Sequence, residues 1–225
     1  MRVAVVGDHG VGDGDSGWVG ERLEQLGATL VPVDRIDLPA YGALGGIDLL
    51  LLLGSDRSVR ADPAAEGVTA EAALLRATLD AGVPAIGICY GAQLAAHALG
   101  GKVVAAPLPE VGWYEVDSAD PVLCPRGPWA QYHLDAFEPP DGVRVLGRNA
   151  AGVQGFATDR LVAWQFHPEV KPATLGRWIA AGPGDVAAAG ADPVAVAAYA
   201  EQHEERVRGA AHELTDAALA HLGVS

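Results

Sequence analysis

Cys89 is the residue in this chain whose surroundings suit a nucleophile. It follows the apolar run Pro84–Ile88 and opens the segment Tyr90-Gly91-Ala92-Gln93, with Gly87 and Gly91 two residues to either side. A cysteine between a buried strand and a helix, with glycines at those offsets, forms the G-x-nucleophile-x-G elbow. The sharp turn strains the nucleophile's backbone, and neighbouring backbone comes so close that the flanking positions must be small. The following helix, about Tyr90 to Leu99, points its N-terminus at the sulfur and favours thiolate over thiol. The Tyr90 N–H faces the same space and is suited to hold a developing oxyanion. A core cysteine is the ordinary alternative, but it has no need of the glycines. Cys124, in Leu123-Cys124-Pro125, lacks such surroundings and is expected to be structural.

Thiolate acyl transfer also needs a base and acid with a group to orient it. Gln165-Phe166-His167-Pro168-Glu169 follows the apolar strand Leu161–Trp164. Proline stiffens the step between imidazole and carboxylate, so Glu169 can accept from one ring nitrogen while the other faces Cys89. On its own a His-Pro-Glu run also suits an exposed turn; beside an elbow it completes a triad.

These groups require a rigid frame. Apolar runs at Arg2–Gly7, Thr29–Val33, Asp48–Leu53 and Pro84–Ile88 alternate with helical segments at Gly17–Leu26 and Thr69–Ala81, with Ser16 and Thr69 as expected N-caps. Such alternation predicts βαβ units with right-handed crossovers and a parallel sheet covered on both faces. After Gly100 the runs are short and β-like (Lys102–Ala106, Trp113–Val116, Arg144–Arg148, Gly155–Ala157, Leu161–Phe166), predicting a smaller, mostly antiparallel addition, before a helix over Lys171–Ala181. From Pro183 the chain is alanine-rich, and Val207, Ala211, Leu214, Ala218 and Leu222 share one helical stripe that packs on the body or on a partner. The expected fold is α/β: a doubly wound, flavodoxin-like, mostly parallel sheet with a small antiparallel addition and a C-terminal helical tail. Residues 1–182 are expected to form the catalytic domain and 183–225 an alanine-rich helical extension.

The sequence resembles the class I, triad-type glutamine amidotransferases, in particular the amidotransferase domain of GMP synthases. GICYGAQ matches the family's nucleophile motif and QFHPE its His-Glu motif; LLLGSDRSV, ALGGKV, EVGWYEV and WAQYHLD match further segments, so the resemblance covers about residues 2–180. It implies that Cys89 attacks the side-chain carboxamide of glutamine and that His167, oriented by Glu169, protonates departing ammonia and then activates the water that hydrolyses the γ-glutamyl thioester. It further implies an oxyanion hole from the amides of Tyr90 and of Gly54 or Ser55, a grip on substrate by Gln93, and a substrate-adjacent segment containing His133 and Asp135. Two positions depart from the pattern. Gly54-Ser55-Asp56 replaces Gly-Gly-Pro or Pro-Gly-Pro, and a serine forced to positive φ would require the loop to rearrange before catalysis. Tyr132 stands where a serine usually precedes His-x-Asp.

Composition narrows the remaining choices. The 225 residues carry 15 basic and 29 acidic side chains, a formal charge of −14, which repels phosphate backbones and anionic lipid and argues against nucleic-acid or membrane binding. Two cysteines exclude a disulfide framework. The N-terminus reads as a strand and not a secretory signal, and a cytoplasmic protein is expected. Gly12-Asp13-Gly14-Asp15-Ser16-Gly17 formally fits G-x-G-x-x-G, and Asp34 stands about where a ribose-binding acid would. The glycines come late after the strand, however, and Asp8, Asp13 and Asp15 would repel a pyrophosphate, so an acidic loop bordering the site is expected. His9, His97, His133, His167, His203, His212 and His221 show no metal-ligand spacing, and no metal or cofactor is expected. With no G-x-x-x-x-G-K-S/T loop, no Ser-Gly-Gly-x-Asp-Ser loop and a tail too small for a synthetase domain, the ammonia is expected to serve a separate ATP-dependent synthetase. The alternatives are a stand-alone hydrolase of γ-glutamyl amides, needing no partner, and a catalytically silent regulatory module. The oligomeric state is left open.

Overall fold

The computed structural model describes residues 1–9, 14–38 and 44–224. The described residues form ten strands: β1 (Arg2–Gly7), β2 (Thr29–Asp34), β3 (Leu49–Leu52), β4 (Ala85–Ile88), β5 (Lys102–Tyr114), β6 (Asp117–Ser118), β7 (Trp129–Glu138), β8 (Arg144–Asn149), β9 (Gly152–Thr158) and β10 (Leu161–Trp164). Eight of them form one sheet in the order β2-β1-β3-β4-β10-β9-β8-β6. The first five in that order run parallel, and β9, β8 and β6 add antiparallel strands beyond β10. The parallel order is the flavodoxin-like one, which places ligands at the carboxyl ends of the strands.

Alternation along the strands explains why both faces are covered. Ala4, Val6, Leu50, Leu52 and Ala85 face helices α2 (Glu66–Asp80) and α3 (Tyr90–Ala98) through Val68, Ala72, Leu75, Leu94 and Ala95. Val3, Val5, Leu49, Leu51, Ile86 and Ile88 face the opposite way, onto α1 (Gly17–Gln25) and the final helix. Four more helices close the described chain: α4 (Pro172–Ala181), α5 (Pro183–Ala188), α6 (Pro193–Gln202) and α7 (Glu204–Leu222). The predicted stripe on α7 packs on the body of this chain: Leu214 and Ala218 join Val19 and Leu23 in the core, half-buried Leu222 packs against the same cluster, and Val207 and Ala211 meet Trp18. Arg22 forks onto Asp216, and the cationic groups of Lys171 and Arg208 lie 4.7 and 5.6 Å from the centre of the Trp18 ring.

Several expectations are corrected by the structure. Ser16 precedes α1, but its side chain makes no capping hydrogen bond; Asp15 Oδ1 accepts from the Gly17 N–H at 2.9 Å instead. The helix predicted from Thr69 begins at Glu66, and the Thr69 hydroxyl donates back to the Ala65 and Glu66 carbonyls as an interior helical threonine does. Lys102–Ala106 and Trp113–Val116, read as two strands, are largely one, β5, which pairs with β7 in a separate two-stranded sheet. Pro107 and Pro109 interrupt the hydrogen-bonding pattern, and the register shifts between Ala105 and Glu110, so one long strand looks like two short ones. Of the G-x-G-x-x-G segment, Gly12 and Asp13 lie outside the described residues.

Leu214 is buried in the α1–α7 seam. Leu214→Ala is expected to lower unfolding free energy by about 2–5 kcal/mol, measured by urea denaturation; a wild-type midpoint would show that α7 contributes no core.

Candidate active site

The backbone of Cys89 has φ 51° and ψ −108°, and among the described residues it is the sole non-glycine with positive φ. It is held there from both sides: its N–H donates to the Trp164 carbonyl at 2.7 Å, and its carbonyl accepts the Gln93 N–H at 2.9 Å. A Cβ on Gly87 would lie 2.8 Å from the Gly91 carbonyl oxygen, and one on Gly91 would collide with the Leu52 carbonyl. The flanking glycines are therefore fixed by close approach of backbone to backbone. The thiol is 3.8 Å from the Tyr132 carbonyl oxygen, and the Gln165 side-chain amide donates toward Sγ at 3.7 Å.

His167 and Glu169 follow β10, beside β4 in the sheet. His167 Nδ1 and Glu169 Oε1 are 2.7 Å apart, and both side chains are buried. The Glu169 backbone is anchored too, its carbonyl accepting the Trp18 N–H at the start of α1 at 2.8 Å. His167 Nε2 makes no hydrogen bond among the described residues. Burial opposes the imidazolium, but the Glu169 carboxylate and then Cys89 outweigh it and hold His167 well above the ordinary histidine range. A thiol, an imidazole and an orienting carboxylate in this arrangement can move a proton off sulfur and deliver it to a leaving group.

Gly54 lies against both groups: a Cβ placed on it would be 2.9 Å from His167 Cε1 and 3.7 Å from Cys89 Cβ. Ser55 does not adopt the positive φ expected to strain this turn, so that reason for a rearrangement falls away. Its hydroxyl donates to Asp8 Oδ2 at 2.7 Å. Gly54, Ser55, Cys89, Tyr90, Gln93, His133 and His167 share one cavity of about 430 Å³, a volume ordinary for small-molecule sites.

Gln93 is buried at the cavity wall, its Nε2 donating to the Asp135 carbonyl at 3.2 Å and to Gln165 Oε1 at 3.4 Å. His133 turns its ring inward: Nδ1 is 2.9 Å from the Asp135 carbonyl and Nε2 is 3.1 Å from Glu110 Oε2, so both nitrogens are used within the protein. The Asp135 carboxylate is taken by Arg60 at 2.6 Å and by Ser58. Tyr132 reaches outward from β7: its hydroxyl donates to the Trp178 carbonyl at 3.2 Å, and its ring meets Trp178 edge-on. The larger residue thereby ties the α4–α5 corner to the cavity, where Trp178, Gly182 and Asp185 form part of the wall. Cys124 lies away from the site, fully buried, and burial with the nearby Asp120 pushes its thiol up to about 12.

Arg35, Glu71 and Gln165 carry no local signal of a place beside the site. The Arg35 guanidinium is buried between Asp8 (Nη1 to Oδ2, 2.5 Å) and Glu71 (Nε to Oε2, 2.9 Å) and lies 4.7 Å from the Tyr90 ring centre. Asp8 thus serves as an internal counter-ion, and Asp34, which stands where a ribose-binding acid would in a dinucleotide site, accepts the Ile36 N–H at the Arg35–Asp37 turn. Among the described residues no cluster of three or more histidine, cysteine or acidic side chains is suited to a metal ion, and no helix is long and apolar enough to cross a membrane.

A parallel sheet whose central strand ends in a strained cysteine, sharing one cavity with a carboxylate-held imidazole, defines an α/β protein of the nucleophile-elbow class. The chain belongs to the class I glutamine amidotransferases: the model of that family matches residues 16–181. A glutamine-hydrolysing GMP synthase of Aeropyrum pernix is 33% identical over 171 residues, which span 71% of this chain and 31% of that protein. One subunit of a glutamine-hydrolysing GMP synthase from Saccharolobus solfataricus is 39% identical over 103 residues, 42% of this chain and 55% of that subunit. The matched part is thus about a third of the first relative and about half of the second. A crystal structure of a glutamine amidotransferase from Thermotoga maritima shares the fold, with TM-score 0.81 at 24% identity over 99% of this chain and 98% of that one.

The His167 imidazolium is expected to persist well above the unfolded value of about 6.5 and to titrate lower in Glu169→Gln, read by NMR of the ring. Because the folded value is raised, the stabilising contribution is fully present below about 6.5 and is lost as pH rises through the folded value. An unchanged His167 titration in the variant would contradict the coupling.

Proposed function

We propose that this chain hydrolyses the side-chain amide of L-glutamine through a γ-glutamyl thioester on Cys89. The observation that supports it most directly is the joint placement of the elbow cysteine, the Glu169-held His167 and the Gly54–Ser55 turn around one cavity. In this reading the thiolate attacks the carboxamide carbon, and the amides of Tyr90 and of Gly54 or Ser55 hold the oxyanion. His167 gives its proton to the departing ammonia; it then takes one from water, which cleaves the thioester to glutamate and restores the thiol. Glu169 keeps the ring oriented and its cation stabilised. Gln93 and the β7 segment around His133 shape the space for the amino-acid portion of the substrate.

The ammonia is proposed to pass to a separate ATP-dependent synthetase. Relatives that are named as one subunit of a glutamine-hydrolysing GMP synthase favour this division of labour. Residues 1–182 are proposed as the amidotransferase domain, with 183–225 an extension that also walls the cavity. A cytoplasmic place of action goes with two free cysteines kept reduced.

Cys89→Ala is expected to lower glutamate release by at least about 10⁴-fold, and Glu169→Gln by about 10²–10⁴-fold, in a coupled glutamate assay at saturating glutamine. Glutamine turnover that survives Cys89→Ala would refute the mechanism. Faster turnover of N-substituted γ-glutamyl amides than of glutamine would point instead to a stand-alone amide hydrolase.

A further inference from the structure

Arg35 lies outside the cavity lining, yet it touches the turn that borders Cys89. Its Nη2 donates to the Leu53 carbonyl at 2.9 Å, and its Nη1 lies 3.4 Å from the Gly54 carbonyl. The same guanidinium binds Asp8 and Glu71, and Asp8 in turn receives the Ser55 hydroxyl. Three consecutive residues, 53 to 55, are therefore tied to one buried cation or to its counter-ion. Charge balance alone would need one carboxylate and neither carbonyl.

The two carbonyl contacts have a geometric consequence. Both peptides are trans, and in a trans peptide the C=O of one residue and the N–H of the next point in opposite directions. Turning the Leu53 and Gly54 carbonyls toward Arg35 points the Gly54 and Ser55 N–H groups away from it, and Gly54 itself lies against His167 and Cys89. Among the described residues neither amide has a backbone acceptor. The Arg35 face also carries the Tyr90 ring, so the same side chain packs against the residue bearing the elbow's own oxyanion donor.

We infer that Arg35 is a positioning residue that presets the Gly54 and Ser55 amides as oxyanion donors, replacing with a charged clamp the glycine- and proline-rich turn that this chain lacks. The inference rests on the proposed acyl transfer at Cys89 and specifies how its oxyanion hole is shaped. Lysine at position 35 would keep the charge, but its single ammonium cannot span two carboxylates and two carbonyls as the fork does.

The test compares wild type and Arg35→Lys in steady-state glutamine hydrolysis and in iodoacetamide alkylation of Cys89 across pH. Alkylation builds no oxyanion, so it reports the thiol alone, and the fully buried Cys124 contributes little to it. Arg35→Lys is expected to lower kcat by about 10²–10³-fold with KM within about threefold, leaving the alkylation rate and its pH profile unchanged. Should that variant fail to fold by circular dichroism, Ser55→Ala, which removes only the hydroxyl tie to Asp8, is expected to cost about tenfold in kcat with the same alkylation behaviour. Wild-type kcat in the folded variant overturns the inference, as does a loss carried by KM or matched by an equal loss of alkylation. An active wild type with an undisturbed variant leaves the proposed function standing; a wild type that does not hydrolyse glutamine overturns both.

Discussion

The left-handed backbone at Cys89 is the constraint around which the rest of the molecule is arranged. A non-glycine residue in such a conformation costs on the order of 1–3 kcal/mol and persists only where its surroundings over-determine it. Here they do. β3 and β4 are fully buried on both faces, the Cys89 N–H is fixed to β10, and backbone from β3 and α3 closes on Gly91 and Gly87. A regular turn would relax the strain but swing the sulfur out of line with His167 and lose the first turn of α3 beneath it.

Around that point the protein places charge where burial makes charge most costly. Arg35, Asp8 and Glu71 form a buried group in which burial pushes the Glu71 carboxyl up against the pull of Arg35. Buried ion pairs of this kind are weak sources of stability, because desolvation offsets their attraction. Their directional hydrogen bonds are another matter: they fix the turn after β3 relative to α2 and the elbow. A second buried polar chain, running from His133 through Glu110 to Asn149 and Gln154, performs a similar task behind β7. Each network braces residues that line the cavity, the Gly54–Ser55 turn in one case and His133 in the other.

How much of this the sequence disclosed follows from how local each signal is. The elbow is encoded within five residues, Gly87 to Gly91, and the His167–Glu169 pair within three, so both are legible. The parallel strands are as well, since each is a short apolar run between helices. The Arg35–Glu71 contact joins residues 36 apart, one in a short turn and one on an amphipathic helix, where an acid looks like ordinary surface. The strand carrying Tyr132, His133 and Asp135 was equally hidden, because its polar residues break the apolar alternation and find partners only across the β5–β7 ladder. Tyr132 looked like a defect in a motif; its purpose becomes visible once its hydroxyl is seen to reach the helices after β10.

The seam between α1 and α7 bears on where this protein begins and ends as a unit of inheritance. The family model matches no further than residue 181, whereas the hydrophobic surface of the helix that steadies Glu169 is completed by side chains from residues 207 to 219. A recombination event that kept only the recognisable portion would carry away every motif intact and leave Trp18, Val19 and Leu23 uncovered. The stretch that the family model recognises is thus shorter than the stretch that completes its hydrophobic core.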